Sequence, residues 1–213
     1  MAEALRTHPH DENLIRGRRN QIFQAACRVL GRKSFHEASV KEIALEAGLS
    51  AGSIYLYLDG KDEIIPLIAE SMVAEFIDRV PAIEAASGGD PRVHLIGIMR
   101  AIIDVIDRYR EAFAVLNHEG RYLERRPQYR VVMRRIREDY MGKLSDVIER
   151  GIVSGAIRSE NPRMAAHAIH MLCAGWANGP AFMKNADKDA YWREISRMVE
   201  GQFFPDAARA GGA

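Results

Sequence analysis

Between Ser39 and Lys61 the chain reads SVKEIALEAGLSAGSIYLYLDGK, a stretch that few backbones can accommodate. Ser39, with Glu42 three residues on, is a capping box: the hydroxyl accepts from a first-turn amide while the carboxylate reaches back to the cap amide. Ile43, Ala44 and Ala47 supply a short apolar face. Gly48 is placed to end that helix, because a left-handed residue turns the chain there without a Cβ clash. Leu49 fills the corner, Ser50 caps a second short helix, and Ile54 and Leu58 point inward from it, four residues apart. Two short helices around a glycine corner make a helix-turn-helix. The outer face of the second helix carries Ala51, Gly52, Ser53, Tyr55 and Tyr57, with no acid before Asp59, and Lys61 opens the next helix.

These residues resemble the TetR family of transcriptional regulators. The resemblance rests on Ser39-Val40-Lys41-Glu42-Ile43-Ala44, Ala47-Gly48-Leu49-Ser50, Gly52-Ser53-Ile54-Tyr55 and the Tyr-x-Tyr-Leu-x-Gly-Lys exit ending at Lys61. It implies an all-α chain with an N-terminal three-helix helix-turn-helix DNA-binding domain and a C-terminal helical domain for ligand binding and dimerisation. Two departures stand out. The family usually has glycine where this chain has Ser34, and many members have a basic residue where it has Ala51.

A chain of 213 residues with 47% apolar side chains can bury a substantial core. Its net charge of +1 supplies no global field for nucleic acid, so a DNA surface has to be a local patch. Cys27 and Cys173 sit in separate apolar patterns. Without a secretory leader they read as reduced core thiols of a cytoplasmic protein. No apolar run approaches the roughly 18 residues that would suggest a membrane span.

Along the chain, Met1 to about Asn13 reads as a mobile polar tail. Arg16, Arg18 and Arg19 open the first helix, whose stripe is Ile22, Phe23, Ala26, Val29 and Leu30. A helix from Lys61 to Val80 joins the two domains, and Ala85 to Asp90 is a loop. Asp90-Pro91 starts another helix, Tyr109 to Leu116 forms a short one, and Asn117 to Arg126 is a polar break. Pro127 opens a long helix ending at Gly155. The numerous arginines from Arg121 to Arg137 could form a second nucleic-acid surface, but they are interleaved with Glu124, Glu138 and Asp139 opposite the apolar stripe and read as a solvated, salt-bridged face. Asn161-Pro162 starts a helix rich in small residues, and Asp187 caps the last one. The expected division is residues 1–61 as tail and DNA-binding head, 62–205 as effector and dimerisation domain, and 206–213 as a disordered tail.

Arg18, Arg19, Lys41 and Lys61 are the expected phosphate contacts, with hydroxyls from Ser39, Ser50, Ser53, Tyr55 and Tyr57. Gly52 allows close backbone approach, and Ala51 could touch a thymine methyl. Tyr55 is read either as a core tyrosine or as a DNA contact; Tyr57 is expected to face the duplex. One helix-turn-helix covers a half-site, so specific affinity calls for a homodimer, here through the last two helices, on a palindromic double-stranded operator. The resemblance also implies an effector pocket. Met72, Phe76, Met99, Phe113, Tyr140, Met171 and Trp176 could line one suited to a mostly apolar small molecule. His167 and His170, three apart, lack a third ligand at matching spacing, so no metal or other cofactor is expected. No nucleophile is paired with a base, so no catalytic site is expected.

Overall fold

The structure, a computed structural model, describes residues 12–178 and 187–205. The expected tails at residues 1–11 and 206–213 lie outside the described residues, and among those described there is no strand. Helix α1 (Glu12–Leu30) is followed by α2 (Val40–Glu46), by 3-10 turns at Ser53–Leu56 and Lys61–Glu63, and by α3 (Ile64–Ala86). The body continues with α4 (Pro91–Arg108), α5 (Arg110–Leu123), α6 (Pro127–Val153), α7 (Pro162–Ala174), a 3-10 turn at Gly175–Asn178, and α8 (Lys188–Phe203).

Capping chemistry sets most boundaries. The side chains of Asp90, Asn161 and Asp187 accept from Arg92 N at 2.8 Å, Met164 N at 3.0 Å and Asp189 N at 2.9 Å. Gly155, with φ +74°, stops α6. Ile157 then folds back on Gly151, where a Cβ would lie 2.3 Å from the Ile157 Cδ1.

Helix α3 positions everything else. Ile64, Ile65, Leu67 and Ile68 are all buried, so its first turns are apolar on every side. It packs on α1 in the head and on α4, α5 and α6 in the body. One apolar core consequently runs from Ile22 and Phe23 in α1 to Ile195 and Val199 in α8. The polar seam follows the same path. Gln24 donates to the Tyr109 hydroxyl at 3.1 Å, and that hydroxyl donates to Glu75 of α3 at 2.7 Å.

Three boundaries differ from the sequence reading. Helix α1 starts at Glu12, so Asn13 is helical. Helix α3 runs past Val80 and through Pro81 to Ala86, because Ile83 packs against Gly97 of α4 and Glu84 pairs with Arg150 at 3.0 Å. The break expected from Asn117 shrinks to Glu124–Arg126. There, local polarity misleads: Glu119 and Gly120 are buried, and Glu119 has His118 Nδ1 at 3.0 Å and His36 Nε2 at 3.2 Å. Cys27 and Cys173 are both free thiols, and burial pushes each up to about 12.

Candidate nucleic-acid interface

Both members of the capping box at Ser39 are made: Glu42 N donates to Ser39 Oγ at 3.2 Å and Ser39 N donates to the Glu42 carboxylate at 2.9 Å. Past Ala47 the chain closes a Schellman turn, with Leu49 N on Ala44 O at 2.8 Å and Gly48 N on Leu45 O at 3.0 Å. Gly48 has φ +66°, so the glycine is required at this corner. Gln21 of α1 donates to Ala47 O at 2.5 Å, while Arg28 and Arg32 hold Glu46 at 2.6 and 2.5 Å. Ile43, Ala44, Ile54 and Leu58 fill the space between.

The second element is wound more tightly than an α-helix. Ser50 Oγ accepts from Ser53 N at 3.0 Å and lies 2.7 Å from Ser53 Oγ, and residues 53–56 form a single 3-10 turn. Ser34, at the usual glycine position, does not disturb α1. The helix has already ended at Leu30, and Ser34 N and Oγ both donate to Glu37.

Lys41, Ser39, Ser50, Gly52 and Tyr55 are exposed on the outer side; Ala51 and Ser53 are half-buried. Tyr55 is 55% exposed, which removes the core-tyrosine alternative. Tyr57 corrects the expectation in the other direction: it is half-buried and packs on the core, and its carbonyl accepts from Arg19 at 3.2 Å. Leu56, absent from the sequence-derived set, is 78% exposed beside Tyr55. Its signal was available, because Ile54 and Leu58 face inward and a residue between them must face out. Half-buried Ala51 is less well placed than Leu56 to meet a thymine methyl.

Several expected phosphate contacts have partners within the chain. Arg19 pairs with Glu70 of α3 at 2.5 Å, tying the reading segment to that helix, and Arg18 donates to Gln21 at 2.8 Å. Lys61 donates to His36 O at 2.8 Å and sits 4.9 Å from the Phe35 ring centroid. A lysine at a helix start opposes the dipole, and these contacts compensate for it. Two of its ammonium protons remain for another acceptor.

Hydrogen bonds from Lys33 and from Ser39 hold the Glu42 carboxyl down, from 4.5 to about 2. A depressed carboxylate stabilises the fold above its unfolded pKa, and this contribution disappears as pH falls through the folded value. The wild-type head is therefore expected to lose stability between pH 4.5 and about 2. Glu42→Gln should be less stable at neutral pH, converge with wild type near pH 2 and show a shallower acid limb in thermal melts across that range.

In the body, the expected effector residues divide. Met72, Phe76, Met99, Phe113 and Trp176 are buried, and Tyr140 packs against their core. Met171 is 55% exposed on α7 and does not join them, because it lies on the opposite side of α7 from Ile169 and Cys173. Phe76, Tyr140 and His170 stack edge to face, with ring centroids 5.2 Å apart at each step. The Tyr140 hydroxyl lies 2.8 Å from His170 Nδ1. Burial, with His167 close by, lowers His170 to about 4, so it is a neutral hydrogen-bonding group at physiological pH. Trp176, although buried, is tied to charged groups: its Nε1 donates to Asp107 at 2.7 Å, and the Arg110 guanidinium lies 5.0 Å from its ring centroid. Among the described residues no three His, Cys, Asp or Glu side chains converge to hold a metal.

Residues 22–67 match the family described as bacterial regulatory proteins, tetR family. Residues 88–178 match the tetracyclin repressor-like C-terminal domain, and together the two matches take in more than half of the chain. The chain is 27% identical over 147 residues to the HTH-type transcriptional repressor KstR2 of Rhodococcus jostii, covering 68% of this chain and 70% of that protein. It is 26% identical over 181 residues to the HTH-type transcriptional regulator HbdR of Aromatoleum sp., covering 83% and 76%. The fatty acid degradation regulator FadR of Bacillus halodurans shares the fold with a TM-score of 0.68 at 18% identity, over 85% of this chain and 94% of that one. With the helix-turn-helix built at residues 39–58 and both halves matched, this chain is a DNA-binding transcriptional regulator that belongs to the TetR family.

Proposed function

We propose that this protein is a cytoplasmic repressor that binds a palindromic operator as a homodimer and is released by a mostly apolar small molecule. The supporting observation is the exposed, acid-free edge of Ser50, Gly52, Tyr55 and Leu56, with Lys41 beside it, on a rigidly capped hairpin. Lys41, Lys61 and the serine hydroxyls position the duplex through phosphates, while Tyr55 and Leu56 meet base edges. Residues 1–61 serve as the DNA-binding head, 62–205 as the effector and dimerisation domain, and 206–213 as a tail.

On α7, Met164, His167, Ala168 and Met171 are exposed at i, i+3, i+4 and i+7, a stripe suited to pack against the same stripe of a second copy. Met198 is also exposed, on α8, which Tyr191 fastens to α7 by donating to Leu172 O at 2.5 Å. The effector enters among Phe76, Met99 and Tyr140, where the Tyr140–His170 pair offers a neutral polar handle in apolar surroundings. It acts by binding one conformation of the dimer more tightly than the other. The repressor named KstR2 supports the sign of regulation.

The test is selection of duplexes from a random pool by the full chain, followed by mobility shift. A palindromic product with half-sites about 34–36 Å apart, or a multiple of that, is expected. Enrichment of no sequence would overturn the proposal.

A further inference from the structure

We propose that the corner between α5 and α6 is a second phosphate-binding surface, which grips the DNA backbone flanking the half-site under the head; this rests on the DNA-binding reading above. Between Arg121 and Asp139 the chain has seven arginines against three acids, an excess of four positive charges in a chain whose net charge is +1. Salt bridging accounts for only part of it. Arg126 pairs with Asp62 and Arg137 with Glu124. The other two pairs, Arg134–Glu138 at 4.0 Å and Arg135–Asp139 at 3.9 Å, are exposed i,i+4 contacts of the kind that contribute little. Arg121, Arg125 and Arg130 are exposed and have no carboxylate partner among the described residues; the Arg121 Nε donates only to Asn117 O of its own helix.

The corner is fixed to the head at two points. Arg126 holds Asp62, the residue after Lys61, and Glu119 of α5 meets His36 in the α1–α2 loop. Asp62 adjoins Lys61, so a duplex gripped by Lys61 would have the corner close by, without any further folding. Arg125 adjoins Arg126, and Arg130 lies one turn along α6 on the same face as Arg126. Half-exposed Tyr122, stacked 5.7 Å from the Arg126 guanidinium, adds a hydroxyl. Planar guanidinium groups with vacant donors match phosphate oxygens and carry no base preference.

The experiment uses the full chain and the duplex it selects, in two lengths: cut to the two half-sites, or extended by about 10 base pairs on each side. Anisotropy titrations between roughly 50 and 200 mM salt give affinity and salt slope. Wild type is expected to bind the longer duplex roughly tenfold tighter, with a slope steeper by about 0.9 for each added phosphate contact. A chain with Arg121→Gln, Arg125→Gln and Arg130→Gln should bind both lengths alike, and the short one as wild type does. Equal wild-type affinity for the two lengths, or a triple variant that keeps the difference, overturns the proposal and leaves DNA binding by the head intact. Wild type selecting no duplex overturns both. Phosphatidylserine vesicles captured by wild type but not by the variant, with no flank effect, would assign the corner to a membrane and overturn it as well.

Discussion

A chain carrying Met164→Glu and Met171→Glu is expected to sediment as a monomer and to bind its operator at least about 100-fold more weakly. Both methionines are largely exposed in the isolated chain, 67% and 55%, so the substitutions should leave its melting behaviour as a monomer unchanged. In the proposed dimer they lie against each other across the two-fold axis, where four carboxylates would be desolvated next to like charges. Operator affinity then falls because each head alone retains one half-site and its non-specific phosphate contacts. Specific binding typically exceeds non-specific binding by about 10³ or more, so loss of one half leaves ample range to measure. Wild type on an operator with one scrambled half-site should approximate the variant on the intact operator. A variant that remains dimeric in sedimentation velocity would place the interface elsewhere.

The second large effect belongs to the tip of the reading segment. Tyr55→Ala with Leu56→Ala is expected to lower operator affinity by roughly 30-fold or more while flattening discrimination among single-base operator variants, since each base-edge contact is worth about 1–3 kcal/mol. Both side chains project into solvent, so the fold loses little. Tyr57→Ala should behave oppositely. Its ring packs on the core and its carbonyl takes Arg19, so the melting temperature falls while base preference at the operator persists. If the tip variant keeps its sequence discrimination, the base-reading role moves off residues 55 and 56.

The helix-turn-helix was legible because its signals are local. A capping box, a left-handed glycine and two inward residues four apart need no tertiary knowledge, and each appears where the spacing predicts. Exposure in the second element was harder to read. An α-helical period puts Tyr57 on the flank of the element, whereas the tighter winding brings it, three residues after Ile54, round to the core side. The partners of Arg19 and Lys61 were also hidden, since Glu70 and the His36 carbonyl are distant in sequence and near only after folding. In the body, Asn117–Leu123 fell within the expected break because it is polar, yet it is helical with Glu119 buried against His36 of the head, a contact that sequence polarity cannot anticipate. Met171 was grouped with the core methionines by residue type, whereas its position on α7 decides its exposure.

The continuous packing around α3 limits how a signal can travel. With its opening turns enclosed by both halves, the head is not a loose module on a tether, and α3 must move as one stiff lever. Its 23 residues span about 34 Å, so a tilt of about 5° at one end displaces the other by about 3 Å. In the proposed two-fold dimer the displacements would add, enough to bring the two heads out of step with adjacent major grooves without melting any helix.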